Sequence, residues 1–194
     1  STNSNASGNV NGTGGSVGGF VGNSRSDTTN AWATGNVTST GGNGIGGFVG
    51  YMGGGTWNNV TASGNVTANS SAYVGGFAGQ ASSATLTNAT ASGNVRGSNQ
   101  VGGFIGYNSG MTTNITSASG NVSSAASYYI GGYVGQNAGG TINNSERITA
   151  RIAVRVTEVL PNGHMILEGR RMTLVGGEEQ EAVLRGVVRQ EDIQ

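Results

Sequence analysis

Through the first three quarters of the chain, small or apolar residues alternate with polar ones in short runs, which is the period of a β-strand. Clusters of glycine, serine and asparagine separate these runs, as expected for turns. Residues 61–90 contain three such runs, so the pattern predicts three short strands and three turns for every repeat of about 28 residues. The repeats show no stretch with the 3.6-residue spacing of an amphipathic helix.

Two short phrases recur five times with this period. Gly-Asn-Val begins at Gly8, Gly35, Gly64, Gly93 and Gly120, in steps of 27, 29, 29 and 27 residues. Gly-Gly followed by an aromatic residue begins at Gly18, Gly46, Gly75, Gly102 and Gly131, in steps of 28, 29, 27 and 29 residues. Two markers with one period indicate a repeat array. We therefore predict an all-β fold, with a β-solenoid of about five coils over residues 1–145 and a small antiparallel β-meander over residues 146–194.

In a solenoid, an inward side chain lies on its counterpart from the previous coil, about 4.8 Å away. The stacked side chains supply the core that a single coil cannot build. We predict two structural columns, namely Val10, Val37, Val66, Val95 and Val122, and Phe20, Phe48, Phe77, Phe104 and Tyr133. A third column is predicted for Val17, Ile45, Val74, Val101 and Ile130. The asparagines of the Gly-Asn-Val phrases are predicted to form an amide ladder.

Charge divides the chain, although the net charge is zero. Residues 1–145 carry only Arg25, Asp27 and Arg96, whereas residues 146–194 carry seven arginines and eight acids. The change predicts a domain boundary between Ser145 and Glu146. The chain opens on Ser1 without a signal peptide, as expected for a processed form or a fragment.

Composition also excludes several classes of function. Glycine accounts for 38 of 194 residues, and cysteine is absent, which excludes disulfides, thiolate catalysis and cysteine-ligated metals. No basic patch points to nucleic acid as a partner. No apolar run reaches the roughly 18 residues that a transmembrane helix needs.

The last 49 residues have the pattern of a β-meander. We predict an alternating strand from Ile148, a hairpin turn at Pro161, Asn162 and Gly163, a return strand over 165–175, a turn over 176–179 and a third strand over 182–189. Asn-Gly is expected to supply the positive φ angles of the hairpin. One face should be apolar and the other should carry arginine and glutamate. So short a unit is marginal alone, and needs the solenoid end or other subunits as a partner.

The phrases Ala-Ser-Gly-Asn-Val and Val-Gly-Gly-Phe-Val/Ala/Ile-Gly resemble the GLUG-type repeat of large bacterial surface and secreted proteins. The resemblance covers five copies over residues 6–145. It implies a β-helical stalk or an adhesive region rather than a catalytic one.

A second resemblance is carried by residues 152–163, 167–169, 177–180, 184–189 and 191–193. Over residues 147–193 the chain is similar to the central part of the flagellar L-ring protein family. The resemblance implies a non-catalytic lipoprotein that forms a homo-oligomeric ring in the outer membrane around the flagellar rod.

The chain departs from that family in three respects: it has no cysteine for lipidation, it lacks the family's own N-terminal part, and it stops soon after Ile193. Two accounts fit. One is a diverged ring protein whose variable segment has been expanded by a GLUG insert, and the other is an artificial join of unrelated pieces.

Candidate chemistry is sparse. His164 is the single histidine and lies in a predicted turn, so an exposed turn residue is the simpler interpretation. Glu178, Glu179 and Glu181 are better read as a solvated turn than as a cation site, because Ca²⁺ needs several spaced oxygen ligands. We predict no catalytic, cofactor-binding or metal-binding residues.

Three other patterns also have simpler interpretations. The glycines at 42, 44 and 46 imitate a phosphate loop, but no helix follows them. The Asn-X-Ser/Thr triplets arise largely from the repeat composition. An exposed sugar-binding stripe could be formed by Trp32, Trp57, Tyr51, Tyr107 and Tyr128. Positions at coil edges or in columns are the simpler interpretation, because both tryptophans fall shortly before a Gly-Asn-Val phrase.

The sequence therefore predicts a non-enzymatic structural protein of the bacterial outer membrane or cell surface. The first hypothesis is a flagellar L-ring subunit that carries a repeat insert and forms a ring through its C-terminal segment, with the flagellar rod or outer-membrane components as further partners. The Arg/Glu face then supplies complementary charge between subunits, or else is merely solvated. The alternative is an extracellular adhesin or stalk that binds a surface or a glycan.

Overall fold

The computed structural model describes residues 1–124, 129–143, 155–175 and 178–189. These residues form strands and turns and contain no helix. The chain divides into two compact units, Ser1–Glu146 and Arg147–Gln194. The predicted boundary at Ser145/Glu146 and the first part of the strand predicted from Ile148 lie outside the described residues.

The first unit is a β-solenoid. Its first coil contains β1 (Thr2–Ala6), β2 (Val10–Gly12), β3 (Ser16–Gly18) and β4 (Val21–Ser24). The second contains β5 (Thr28–Ala33), β6 (Val37–Ser39), β7 (Gly44–Gly46) and β8 (Val49–Met52), and the third contains β9 (Thr56–Ala62), β10 (Val66–Thr67), β11 (Tyr73–Gly75) and β12 (Ala78–Ala81). The fourth contains β13 (Thr85–Ala91), β14 (Val95–Gly97), β15 (Gln100–Gly102) and the start of β16 (Ile105–Ala118), which continues into the fifth coil with β17 (Val122–Ser124), β18 (Tyr129–Gly131) and β19 (Val134–Asn143).

Equivalent strands of successive coils pair in parallel. They form a nine-stranded sheet in the order β1-β5-β9-β13-β16-β12-β8-β4, with β19 paired to β16, and two five-stranded sheets, β17-β14-β10-β6-β2 and β18-β15-β11-β7-β3. The nine-stranded sheet is continuous because β16 pairs with β12 through its first residues and with β13 through its later ones. The predicted all-β solenoid of about five coils is confirmed.

Each coil has four strand segments, however, and not the predicted three. The alternating runs read from the sequence pass through two sharp bends, one at Gly-Asn and one at Gly-Phe. A bend interrupts the strand without interrupting the alternation of small and polar residues, so the sequence pattern alone does not show it.

Backbone contact at the bends explains why glycine recurs at the same positions of successive coils. A Cβ on Gly64 would overlap the carbonyl oxygen of Gly35, and a Cβ on Gly47 would overlap that of Gly76. Glycine is therefore needed at both bends because the backbones of adjacent coils are in contact there.

Inward side chains build two cores, the larger around the aromatic column and the smaller around the valine column. The five valines of the Gly-Asn-Val phrases are paired in register from coil to coil. The five aromatic rings are stacked with centroids 4.7, 5.0, 4.9 and 5.0 Å apart along the column. The middle members of both columns are buried, whereas Val10, Phe20, Val122 and Tyr133, in the first and last coils, are partly buried.

The asparagines of the Gly-Asn-Val phrases do not form the predicted ladder of amide to amide. Instead, the Asn9 side-chain oxygen accepts the backbone N–H of Asn36 at 2.9 Å, and the same bond recurs in every later coil. An amide ladder does exist, but at other positions, since Asn30 donates to Asn3, Asn59 to Asn30 and Asn88 to Asn59 at 3.0, 2.8 and 3.3 Å.

The ladder residues have left-handed backbone, with φ of 51° to 54° for Asn3, Asn30, Asn59 and Asn88. Asparagine tolerates this conformation, whereas β-branched residues do not. In the next coil, the residue opposite Asn88 is Ile115. Ile115 has the same left-handed backbone, with a φ of 53°, and its side chain is 53% exposed. The ladder thus ends in a strained residue.

The second unit contains three described strands in antiparallel order: β20 (Arg155–Val159), β21 (Met165–Val175) and β22 (Glu178–Val188). β21 has its predicted limits. β22 begins at Glu178, so the turn predicted over 176–179 does not extend to Glu178 and Glu179, because both acids continue the pairing with β21. The composition of this stretch is typical of a turn, but the pairing of the two strands continues through both glutamates.

We expect Phe77→Ala to reduce the free energy of unfolding by about 3–5 kcal/mol, because it empties a fully buried place between two stacked rings. The matched control is Trp32→Ala, since Trp32 is 43% exposed. Urea titration followed by the fluorescence of the buried Trp57 measures both. Equal unfolding midpoints for the two variants would contradict the prediction that the aromatic column contributes strongly to the free energy of unfolding.

Ile115→Asn should stabilise the protein by about 1–2 kcal/mol, because it relieves a β-branched residue in left-handed backbone and extends the amide ladder. Ile115→Val keeps the β-branch and should give no gain. Thermal unfolding of the two variants in parallel measures the difference. A lower melting temperature for the asparagine variant would refute the assignment of strain.

Candidate functional surfaces

The described residues present two surfaces with a distinctive chemistry, one on each unit. The first lies where the third and fourth strands of each coil fold back on each other. A Cβ on Gly79 would overlap the backbone nitrogen of Ile45, and one on Gly106 that of Val74. Strand backbones of adjacent coils therefore pack together without side chains between them.

Two rows of side chains lie where these strand pairs separate, and we name them the Tyr–Gln seam. One row consists of Ser16, Gly44, Tyr73, Gln100 and Tyr129. The other consists of Asn23, Tyr51, Gln80, Tyr107 and Gln136. The tyrosines and glutamines of both rows are partly or largely exposed.

Contacts join the two rows across the seam. The rings of Tyr73 and Tyr107 are stacked with centroids 5.0 Å apart. The Gln100 side-chain Nε2 donates to Oε1 of Gln136 at 3.2 Å. A residue of one coil thus meets a residue of the next, and aromatic and amide contacts follow each other along the solenoid.

The sequence singled out only part of this surface. Tyr51 and Tyr107 belong to it, Tyr128 lies outside the described residues, and the two tryptophans lie elsewhere. Trp57 is buried in the larger core, and Trp32 is exposed on β5. Tyr73 was missed, although its place directly before Val-Gly-Gly-Phe repeats in each coil and could have revealed the row.

Tyr133 ends the aromatic column in the fifth coil. Its ring lies parallel to that of Phe104, with centroids 5.0 Å apart, and its hydroxyl is hydrogen-bonded to Thr116. Burial raises the pKa of Tyr133, and the hydrogen bond to Thr116 opposes this only in part. The phenol is therefore held in its neutral form in the folded protein.

The second surface is the three-stranded sheet. Its hairpin places Pro161, Asn162 and Gly163 in a three-residue loop closed by Leu160 N–H donating to the His164 carbonyl at 2.7 Å. Only Gly163 of the Asn-Gly pair has positive φ, at 81°. This is a turn followed by a left-handed glycine, and not the two-residue turn that Asn-Gly alone suggests.

The faces of this sheet are mixed, which differs from the predicted division into apolar and charged. Arg155, Glu168 and Arg185 lie directly opposite one another on the three strands. Alternation places Val183 and Val187 on the same face as Arg185, and they are 55% and 59% exposed. Val156 and Val159 are 47% and 65% exposed, so large apolar side chains are left uncovered across the sheet.

The remaining candidates offer little chemistry within the described parts of the chain. His164 is partly exposed, and its backbone N–H donates to the Asn162 side chain at 3.2 Å. No group of three or more metal-ligating side chains occurs among the residues that the structure describes. In the same residues, no helix has the length and apolar character to cross a membrane.

Comparison with known proteins identifies the relationship. The family model described as the flagellar L-ring protein matches residues 21–194, which is most of the chain. The chain belongs to this family. The match begins in the first coil and continues through the later coils, so the L-ring protein model spans repeats as well as the three-stranded sheet.

Curated L-ring proteins share a shorter region with the chain. Those of Anaeromyxobacter sp. (strain K) and Thermodesulfovibrio yellowstonii are 49% and 45% identical over 49 and 47 residues, or 25% and 24% of this chain. Flagellar L-ring protein 1 of Bradyrhizobium diazoefficiens is 44% identical over 53 residues, or 27% of this chain. The chain spans about a fifth of the length of these relatives (21%, 20% and 21%). No solved structure matches. The GLUG resemblance stays a prediction.

The raised pKa of Tyr133 predicts an alkaline loss of stability. The contribution of the neutral phenol is complete below its ordinary pKa of 10.0 and is lost as pH rises through the higher folded value. Tyr133→Phe should therefore lose less stability than the native protein above pH 10. Urea midpoints across this range, with Tyr107→Phe as the control, measure it, and parallel curves for native protein and Tyr133→Phe would contradict the prediction.

Proposed function

We propose that this chain is a structural, non-catalytic part of a flagellar L-ring subunit in the bacterial outer membrane. Residues 146–194 form a ring-building segment, which is an incomplete domain, and residues 1–145 form a GLUG-like solenoid insert. The observation that carries the proposal is the family match over residues 21–194, together with 44–49% identity to three L-ring proteins.

The uncovered valines of the three-stranded sheet support assembly. Val156, Val159, Val183 and Val187 are each about half exposed or more. By alternation, Val183 and Val187 lie on one face of the sheet and Val156 on the other. Each face therefore leaves apolar side chains available for an interaction. A three-stranded sheet needs a hydrophobic face to be stable alone, and the faces of this sheet are mixed, so a partner that covers the valines would stabilise it. We infer that this partner is further ring-protein sequence, from the same subunit or from its neighbours.

The charged row supports the same conclusion. Arg155, Glu168 and Arg185 alternate in sign across three adjacent strands. Cross-strand pairs of opposite charge stabilise a sheet by about 0.2–1 kcal/mol. When such a row is part of an interface, alternating signs select a complementary register of the partner. The row therefore suits a repeated contact between identical subunits, with the flagellar rod or outer-membrane components as further partners.

The insert account is favoured over an adhesin because the family match extends through the repeats. In this account, the solenoid is added to a ring subunit and catalyses no reaction. Its cores are built by its own columns, so it can fold as a unit without help from the ring.

The test is electron microscopy of the protein with its natural flanking sequence restored. We expect closed rings. Val187→Asp should reduce ring yield at least tenfold, because it places a charge on an apolar contact. Thr38→Asp is the matched control, since it adds the same charge at an exposed position of β6 in the solenoid and should leave ring yield unchanged.

Persistent monomers of the restored native protein would overturn the assignment. An unchanged ring yield for Val187→Asp would overturn the role of the exposed valines. Circular dichroism of each variant reports whether the β-structure is retained, which separates failure of assembly from failure of folding.

A further inference from the structure

The Tyr–Gln seam has no role in the proposed ring contact, and the solenoid does not need it for a core. The two cores are filled by other side chains, and Tyr51, Tyr73, Gln80 and Tyr107 are in neither. These side chains remain partly exposed in an ordered row. Such an arrangement of amphipathic groups on a rigid scaffold requires an explanation beyond folding.

We infer that the Tyr–Gln seam is a binding site for an uncharged polysaccharide chain. A sugar ring presents a C–H face and a rim of hydroxyl groups. Tyrosine provides a flat apolar surface with a polar tip, and the glutamine amide both donates and accepts hydrogen bonds. In the third, fourth and fifth coils the seam carries one tyrosine and one glutamine, and these exchange rows from coil to coil, which matches the repeated chemistry of a sugar polymer.

Gly44 contributes no side chain to the seam. In its row it lies between Ser16 and Tyr73, at the position that Gln100 and Tyr129 occupy in later coils. A Cβ at Gly44 would be 2.6 Å from the carbonyl oxygen of Gly50 and 3.7 Å from the Gln80 Cβ. No side chain fits there, and Gly44 is itself buried, so the aromatic and amide groups of this row begin at Tyr73.

Charge favours a neutral ligand. Residues 1–145 contain three charged side chains. Arg25 lies beside Tyr51 of the seam, whereas Arg96 contacts Asn69 and Asp27 accepts the Thr56 backbone N–H. A Cβ on Gly53 would be 2.9 Å from both the Arg25 side chain and the Tyr51 ring, which places these two groups together at one end. A single arginine can bond to sugar hydroxyls but does not create the field that concentrates a polyanion.

Geometry favours a linear chain over a single sugar. The rows advance by one coil, about 4.8 Å, at each step and run along five coils. Side chains on paired strands are held in fixed order, so the ligand groups are preorganised and several weak contacts act together. A linear oligosaccharide can span several coils, whereas a monosaccharide reaches only one.

The test uses the full chain with two uncharged probes, chitohexaose and cellohexaose, measured by isothermal titration calorimetry. We expect at least one probe to bind, and Tyr107→Ala to weaken that binding at least tenfold. Trp32→Ala is the matched control, because it removes an exposed aromatic ring from another surface and should leave the affinity unchanged.

A second measurement uses the native protein and avoids misfolded variants. Tyrosine ring signals in NMR should shift on addition of the hexasaccharide for Tyr51, Tyr73 and Tyr107, and not for Tyr133, whose ring is stacked in the aromatic column. The inference is overturned if neither probe binds, if Tyr107→Ala binds as the native protein does, if Trp32→Ala loses affinity equally, or if the ring shifts are confined to tyrosines outside the seam.

Discussion

Stacking of equivalent residues in parallel register is the constraint on which this molecule depends. A chain with 38 glycines and few charges has little to bury in any one coil. When the coils pair in register, each aromatic ring lies about 5 Å from the next, and each valine lies opposite a valine. The backbone ladder and the columns therefore form together, and the cores grow with each coil.

The same constraint determines where glycine is required. At the Gly-Asn bend the backbones of adjacent coils are in contact, and the asparagine side chain immediately after it bonds to the next backbone N–H. Glycine costs conformational entropy in a strand. At each bend, glycine allows the backbones of adjacent coils to approach closely, which keeps the side-chain columns in contact and offsets this entropy cost. Bends and columns are thus two aspects of one packing arrangement.

Much of this fold could be predicted from the sequence because its markers repeat. Two phrases with one period indicate coils, and the inward members of each phrase indicate the columns. The number of strands in each coil could not be predicted, because the bends fall within runs that keep their alternation. The true amide ladder was missed because Asn3, Asn30, Asn59 and Asn88 lie outside the two repeated phrases, although they recur in steps of 27, 29 and 29 residues. Their left-handed backbone is visible only in the structure. In the three-stranded sheet, Glu178 and Glu179 resembled a turn, although their pairing with β21 continues the strand.

The hydrogen bond from each Asn-bearing bend to the following coil has a direction, with the side-chain oxygen always on the earlier coil. Every interior coil therefore receives and presents the same groups, and one period can be duplicated or lost without altering the contacts of its neighbours. Change in gene length should thus occur in whole units of 27 to 29 codons, and each unit lengthens or shortens the solenoid by about 4.8 Å. Recombination between repeats that share these phrases can change the number of coils while the segment that follows keeps its own sequence.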